Sequence, residues 1–569
     1  MGSSIRLPLF IVDLLLMLAS ACALGILVTG GDVFFIAGVE IRAHHARNLI
    51  AAIVVLGALR GVLARSVPLL GRKNLDFRRL PEGCAHLTSS TYDWLQSLDR
   101  PKARRLLMGI IVISAVVKLL NGWFYYGFFS GDDVEIHEMT FSMLFDWEGW
   151  QAWGLRSAFY PMLFIYPVQS LLYNLGIVDE AILVFGGRVI VTLFSLLSIA
   201  LVYQIGRMAY GNVAVGFCSA AFFAASHLHN NFASSVLPRT VAATFVLMSI
   251  WLLLRFDQSN SLSAVAGVVL GVGASVRFSE IIFIVCAVLY LAYWQRFLHA
   301  LLVGIASLLT LIVIAGASDL LWWGAPFYSL LNLARYTLVE GQSSRGYQPA
   351  YFYLTTVGSW GNLLFAALAL YAIRLKDWGG LILAILPIAM LSALPHKEFR
   401  YLVPVLPFVC ILAAHAFWVL LKRLRGDGQV AFRQKQIVAT TVTVLLMTSL
   451  LFEMDDYRFR RYESAVDAAR FIRNQSGVSG VAIEQLWRAG GRIYLWRLPT
   501  LVDISSDRRN DADYLRSVLA RPDLDYVAFN AIEVDNLSHP SLASDYGYLE
   551  VSLPRPRQYQ RYVLYKKHE

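Results

Sequence analysis

Long apolar segments recur along the whole of this chain, and they constrain its fold more than any other feature. A helix of about 20 apolar residues is long enough to cross the hydrocarbon layer of a membrane. In lipid every backbone N–H group needs an internal partner, so helices are the default spanning element. The segments do not alternate as the strands of a transmembrane barrel do. They lie at residues 7–29, 48–64, 106–127, 182–205, 211–229, 237–254, 263–276, 280–294, 298–318, 351–373, 379–394, 401–421 and 437–453.

The composition favours the same fold class. Hydrophobic residues make up 57% of the chain and charged residues only 15%, whereas soluble domains carry about 25% charged residues. Four of the five cysteines lie inside apolar segments and none has a CxxC spacing, which argues against a disulfide framework or a zinc site. The sequence therefore predicts an α-helical polytopic membrane protein of about 13 spans.

The basic residues indicate how the chain is oriented in the membrane. The net charge is +10, and many basic residues lie in two connecting segments, 65–105 and 422–435. Basic connections stay on the cytoplasmic side, which accounts for the charge without a nucleic-acid partner. Counting spans from either segment predicts an outer position for residues 128–181, 319–350 and 395–400 and for the tail after 452.

Three regions follow from this pattern. Residues 1–105 are predicted to form a two-span extension with a basic cytoplasmic loop, and 106–453 the main transmembrane module. Residues 454–569 are polar and predict an extracytoplasmic α/β domain. Prolines interrupt the apolar segment 159–175, which is predicted to be a surface or re-entrant helix. In the tail, helices are predicted at Ser464–Asn474 and Ala512–Ala520 and strands at Val481–Glu484, Tyr526–Phe529 and Tyr562–Tyr565.

A run of acidic residues follows the third apolar segment, in Ser130-Gly-Asp-Asp-Val-Glu-Ile-His-Glu138. The aromatic-rich stretch 145–161 after it is typical of chain that lies in the membrane interface. This stretch would hold the acids at the depth of lipid headgroups. The pKa of a carboxyl group rises there because the group is partly desolvated. Such a group accepts a proton more readily at neutral pH. The alternative interpretation of residues 130–138 is an acidic loop that is simply solvated.

Asp132 and Asp133 are therefore candidate catalytic residues. One of them would take the proton of an acceptor hydroxyl group as it attacks a sugar's anomeric carbon, while the other orients it. Consecutive side chains need not point the same way, and the sequence does not choose between the two. Glu135 and Glu138 are candidate supporting residues.

A second cluster, Leu394-Pro-His-Lys-Glu-Phe-Arg-Tyr401, lies between two apolar segments at a predicted outer edge. The donors of His396, Lys397 and Arg400 suit a phosphate or diphosphate. A leaving phosphate gains negative charge in the transition state, and cations fixed beside it lower the barrier. Glu398 would orient Lys397 or Arg400. The alternative is a set of snorkelling interface residues.

Three more residues are candidates for a supporting role. Tyr347 belongs to an outer stretch rich in Tyr and Trp, which is typical of sugar binding and equally of a membrane aromatic belt. Arg239 and Arg277 lie at span ends predicted to face outside. Each would pair with phosphate or satisfy an internal carboxylate.

Three motifs in this chain resemble those of the GT-C superfamily and, within it, glycosyltransferase family 22. The first runs from His396-Lys-Glu-Phe-Arg to Pro407. The second is Gly131-Asp-Asp with the downstream Leu155-Arg-Ser, and the third is the Tyr- and Gly-rich stretch from Asp319 to Tyr353. The resemblance covers residues 106 to about 420. It implies a polyprenyl- or dolichyl-phosphate-mannose donor, inversion at the anomeric carbon and an outward-facing site, with Arg156 supporting the donor phosphate.

The sequence thus predicts a GT-C glycosyltransferase that moves a sugar, with mannose as the first choice, from a polyprenyl-phosphate carrier to a lipid-linked or glycan acceptor. Alternatives are a glucose, arabinose or aminosugar donor, or a glycolipid transporter. No metal is required, although a divalent ion bridging Asp132 and phosphate is an alternative. The predicted location is a bacterial inner membrane with the site facing the periplasm, or the lumenal face of the ER membrane in a eukaryote.

Overall fold

The computed structural model describes residues 32–36, 39–43, 91–124, 126–147, 150–255, 259–339, 347–357, 363–425, 462–505, 507–509, 511–530, 539–551 and 562–568. The predicted spans 7–29, 48–64 and 437–453 lie outside the described residues. Near the N-terminus, β1 (Asp32–Ile36) pairs with β2 (Val39–Ala43) in an antiparallel hairpin.

Most of the described chain between residues 100 and 425 is helical. Its helices are α1 (Arg100–Phe124), α2 (Gly131–Phe145), α3 (Tyr166–Asn174), α4 (Glu180–Ala209), α5 (Val213–Ala225), α6 (His227–Ala233), α7 (Arg239–Arg255), α8 (Asn260–Val276), α9 (Ile281–Tyr293), α10 (Phe297–Trp323), α11 (Tyr328–Ala334), α12 (Phe352–Thr355), α13 (Leu363–Arg374), α14 (Trp378–Ser392) and α15 (Leu406–Arg425). A π-helical turn, Pro161–Ile165, leads directly into α3, in the segment 159–175 where the sequence predicts a surface or re-entrant helix.

Several of these helices have the length and composition of membrane spans. Within the described residues, four are long and apolar enough to cross a membrane, namely α1, α4, α10 and most of α15, and shorter apolar helices accompany them. Two predicted spans differ in detail. The segment 211–229 is divided at Ser226, whose extended backbone ends α5 before α6 begins. The segment 351–373 is divided between α12 and α13.

Small residues allow a close helix contact between α8 and α10. A Cβ atom placed on Gly267 would come within 2.7 Å of the backbone oxygen of Val303. One placed on Gly271 would come within 2.5 Å of the backbone oxygen of Ser307. Small residues let helix backbones approach in this way, which is how helices associate without a hydrophobic driving force in lipid.

The C-terminal part is an α/β unit, as the sequence predicts. Its elements are α16 (Glu463–Arg473), β3 (Gly480–Glu484), β4 (Thr500–Ile504), α17 (Ala512–Leu519), β5 (Tyr526–Asn530), α18 (His539–Asp545), β6 (Tyr548–Val551) and β7 (Tyr562–Lys567). The sheet has the order β4-β3-β5-β7-β6, in which β3 is parallel to β4 and β5, and β7 is antiparallel to β5 and β6. The two strands of this sheet that the sequence does not predict, β4 and β6, lie at its edges.

The α/β unit packs against α2 and the N-terminal end of α4. Arg473 forms an ion pair with the buried Glu180 at 2.6 Å, and the indole of Trp496 donates to the same carboxylate at 3.1 Å. Trp496 also stacks on Phe145 at the end of α2, with ring centroids 4.6 Å apart. Charged contacts therefore join the α/β unit to α4, and an aromatic contact joins it to α2.

Arg188, buried in α4, fixes the turn between α1 and α2. Its guanidinium group donates to the backbone oxygens of Gly122 at 3.2 Å and of Gly127 at 2.7 Å. Carbonyl groups at the end of a helix have no partner within it, and a cation there also favours the helix dipole. Arg188 thereby sets the position at which α2 begins.

Candidate active site

The first turn of α2 separates the two adjacent aspartates. Asp132 and Asp133 both lie in that turn, where the helix dipole favours negative charge. Successive residues of a helix point about 100° apart. Asp132 lines a cavity beside the helix bundle, whereas Asp133 is fully buried.

Asp133 joins α2 to the segment that precedes α7. Its carboxylate accepts hydrogen bonds from the backbone N–H groups of Phe129 and Val236 and from the hydroxyl of Ser235, each at 3.0 Å. Burial raises the pKa of Asp133, against the opposing charge of Arg188 and these hydrogen bonds. The side chain of Asp133 is therefore occupied by donors of the protein itself, and its role is to hold α2 against the segment before α7.

The cavity has a volume of about 420 Å³ and is lined by both charged and apolar side chains. The charged side chains are Asp132, Arg156, Arg239, Arg277 and Arg400. Many of the apolar ones come from the start of α9, from α11 and from the end of α14 with the residues after it; they include Ile281, Ile282, Leu330, Leu333, Leu391 and Leu394. Such a cavity suits a molecule with a charged head and an apolar chain.

Two arginines contact the carboxylate of Asp132 on its two sides. Arg156 pairs with one oxygen, and Nη1 of Arg400 lies 2.9 Å from the other. Arg156 also pairs with Glu135 at 2.6 Å, while Glu135 accepts the backbone N–H of Trp153 at 2.6 Å. Burial opposes the charge of Arg156, but Asp132 and Glu135 outweigh it and hold the pKa of Arg156 above its usual value.

Tyr401 contacts the other two arginines that line the cavity. The guanidinium carbons of Arg239 and Arg277 lie 4.5 Å and 5.7 Å from the centre of its ring. Arg239 also donates to the backbone oxygen of Arg400 at 3.3 Å, and Nε of Arg277 lies 3.6 Å from Glu280. Two cations that would repel one another are thus fixed around one aromatic ring, and Arg277 also has a carboxylate beside it.

The remaining sequence candidates lie near Arg400 or away from the cavity. Lys397 is 5% exposed and donates to the backbone oxygens of Gln348, at 2.8 Å, and Leu394. His396 lies 3.2 Å from Glu398, which also pairs with Arg400. Neither His396 nor Lys397 lines the cavity, and Tyr347 is 68% exposed outside it. A direct role of these three in binding phosphate or sugar stays a prediction.

Other cavity residues escape prediction from the sequence. Tyr401 belongs to a motif that the sequence singles out, but an aromatic residue at a span end is also typical of an interfacial belt. Ser157 and Ser279 line the cavity as single hydroxyl groups and carry no spacing signal. In the part of the chain that the structure describes, no group of three or more His, Cys, Asp or Glu residues is placed to hold a metal ion.

Glu138 connects the acidic helix to the α/β unit. Its Oε1 accepts the backbone N–H of Arg492 at 2.8 Å. Burial raises the pKa of Glu138 to about 7; the Arg492 contact opposes this shift, and the charges of Glu135 and Asp503 add to it. Folding therefore makes Glu138 easier to protonate than it is in the unfolded chain.

This shift predicts that stability falls as the pH rises. A raised carboxyl pKa contributes stability that is complete below the group's ordinary pKa and is lost as the pH rises through about 7. We expect the unfolding temperature of the purified protein to decrease across this window and Glu138→Gln to flatten the slope. Glu550→Gln, at an exposed position, is the matched control. An identical slope in wild type and Glu138→Gln would contradict the assignment.

Two solved structures show which fold the described helices and strands share. The crystal structure of ArnT from Cupriavidus metallidurans bound to undecaprenyl phosphate has a TM-score of 0.52 at 14% identity, covering 80% of this chain and 97% of that chain. The apo form gives 0.52 at 15% identity, covering 80% and 98%. At such identities the likeness concerns the fold. The chain is a multi-pass integral membrane protein with the GT-C fold, as the sequence predicts.

The family follows from the sequence match. The profile of the Alg9-like mannosyltransferase family matches residues 134–470, more than half of the chain, and the chain belongs to this family. The alpha-1,2-mannosyltransferase ALG9 of Arabidopsis thaliana is 28% identical over 248 residues, which is 41% of this chain and 41% of that protein. The match therefore spans less than half of that relative. The resemblance to glycosyltransferase family 22 is confirmed.

Proposed function

We propose that this protein is a glycosyltransferase that moves mannose from a polyprenyl-phosphate carrier to a lipid-linked or glycan acceptor. The observation that carries the proposal is a cavity lined by a carboxylate, four arginines and many apolar side chains. The charged side chains suit a sugar phosphate, and the apolar ones suit the beginning of a polyprenyl chain. Membership of the Alg9-like mannosyltransferase family supports mannose as the sugar.

In the proposed reaction, Asp132 is the general base. The acceptor hydroxyl attacks the anomeric carbon of the sugar and gives its proton to Asp132. The bond between that carbon and the phosphate oxygen breaks, and its electron pair stays on the phosphate. Attack from the side opposite the leaving group inverts the configuration. Arg239, Arg277 and Arg400 stabilise the negative charge that develops on the phosphate.

The proposal also assigns the supporting residues. Arg156, tied to Asp132 and Glu135, orients the base. Lys397 and His396 support the segment that carries Arg400, because their contacts are with neighbouring backbone and Glu398. The α/β unit holds α2 from outside the bundle.

The proposal also includes the membrane in which the protein lies and the side that its cavity faces. A cavity facing the outer side, with basic connections on the cytoplasmic side, fits a bacterial inner membrane with a periplasmic site, or the lumenal face of the ER in a eukaryote. The proposed regions are 1–105, 106–453 and 454–569, the last of them extracytoplasmic.

A donor assay tests the function directly. Purified protein in lipid nanodiscs is given undecaprenyl-phosphate-mannose, the corresponding glucose, arabinose and aminosugar carriers, and GDP-mannose as the soluble control, together with a glycolipid acceptor fraction. We expect transfer from the mannose carrier and none from GDP-mannose. Transfer only from one of the other carriers would show that its sugar, and not mannose, is the one transferred. Movement of glycolipid across the bilayer without any transfer would instead support the transporter alternative.

A further inference from the structure

Arg156 and Arg400 both contact Asp132, but the rest of their surroundings differ. Arg156 also pairs with Glu135 at 2.6 Å, and its backbone oxygen accepts the indole N–H of Trp323 at 3.2 Å. Arg400 contacts Glu398 and lies 3.4 Å from the hydroxyl of Ser130. Each arginine therefore has a second carboxylate, Glu135 for Arg156 and Glu398 for Arg400, but Arg400 also has Arg239 bonded to its backbone oxygen.

Arg400 lies close both to Asp132 and to the other arginines that line the cavity. Its Nη1 is 2.9 Å from Asp132. Its backbone oxygen accepts Arg239 at 3.3 Å, which fixes the two arginines next to each other. A phosphate held by Arg239 and Arg277 would thus compete with Asp132 for the guanidinium group of Arg400.

We infer that Arg400 exchanges its ion pair between Asp132 and the phosphate in each catalytic cycle, an inference that rests on the proposed function. Before transfer, Asp132 carries one negative charge and the phosphodiester of the donor carries one. As the acceptor proton moves to Asp132, that carboxyl group becomes neutral. As the bond to the anomeric carbon breaks, its electron pair gives the phosphate a second negative charge. Arg400 follows the charge from the carboxyl group to the phosphate.

The exchange couples product release to recovery of the base. The polyprenyl phosphate product leaves when Asp132 gives its proton to solvent water and the restored negative charge of Asp132 draws Arg400 back. Ionised Asp132 therefore weakens the binding of polyprenyl phosphate, although it does not contact the lipid chain. A variant without this charge retains the product more tightly than the wild type does.

The test is a binding cycle with undecaprenyl phosphate as the probe. Affinity is measured for the wild type, Asp132→Asn, Arg400→Gln and the double variant, each in nanodiscs. We expect Asp132→Asn to bind about tenfold more tightly than wild type, since close charge pairs couple by at least this amount. In the Arg400→Gln background the same change should alter affinity by less than about twofold, as independent sites do.

Glu135→Gln is the matched control for a general change in the electrostatic potential near the site. It also removes one negative charge from α2, but its ion pair is with Arg156. If Glu135→Gln tightens binding as much as Asp132→Asn does, or if Asp132→Asn acts equally with and without Arg400, the exchange is wrong. Unchanged affinity of Asp132→Asn also overturns it.

Two further measurements keep the test decisive. Arg400→Lys retains a charge, so Asp132→Asn should again tighten binding in that background even where Arg400→Gln fails to fold, as judged by its unfolding temperature. Absence of undecaprenyl phosphate binding in every folded variant, wild type included, would count against the proposed function itself. Binding in all of them without the predicted pattern would reject only the exchange.

Discussion

Replacement of Asp132 by asparagine is expected to lower the rate of sugar transfer by about a hundredfold to ten-thousandfold, the usual contribution of a general base. Asparagine has nearly the same shape but does not accept the acceptor's proton. The fold should be retained, because the side chain of Asp132 is 17% exposed in the cavity wall and its ion pairs are with side chains of that wall.

Transfer from the mannose carrier in nanodiscs measures this effect. Asp146→Asn is the matched control, because Asp146 is an exposed residue in left-handed conformation at the end of the same helix, and asparagine tolerates that conformation. The control should transfer at the wild-type rate. Asp132→Asn with more than about a tenth of that rate would be too active for a protein that has lost its base.

Replacement of Asp133 by alanine should instead lower the free energy of unfolding by about 3 kcal/mol or more. Its carboxylate is the acceptor for Phe129, Ser235 and Val236, and each buried donor left without an acceptor costs about 1–3 kcal/mol. Transfer by the protein that still folds should fall less than in the Asp132 variant.

Unfolding in detergent, followed by calorimetry or by chemical denaturation, checks this expectation. Asp133→Asn keeps one carbonyl oxygen and should give an intermediate loss. Asp132→Ala removes the same atoms from the partly exposed neighbour and should cost less. Equal losses at the two positions would show that Asp133 has no special structural role.

The helical architecture is readable from the sequence because lipid imposes a single strong requirement on the backbone. Apolar segments near 20 residues mark α1, α4, α10 and α15, since each must satisfy its own hydrogen bonds. Helix breaks are less readable. Ser226 ends α5 through one extended residue within a continuous apolar segment, and apolar content alone carries no sign of it.

The candidate site is readable as a list of residue types but not as contacts. The choice between Asp132 and Asp133 depends on the direction in which each points from α2, and this follows only when the neighbours of the helix are known. Lys397 reads as a phosphate ligand, yet its ammonium group contacts the backbone of Gln348. Backbone oxygens brought together by tertiary folding leave no pattern in the sequence.

The docking of the α/β unit has a consequence for biogenesis. The side chain of Trp487 packs against Gly131, where a Cβ atom would lie 3.8 Å from its ring, and β7 inserts between β5 and β6. During translation the bundle helices leave the ribosome well before residues 562–567 do. Nascent protein thus lacks the contacts between α2 and the α/β unit until the sheet is complete, so the candidate site should become fully ordered only after synthesis of the sheet.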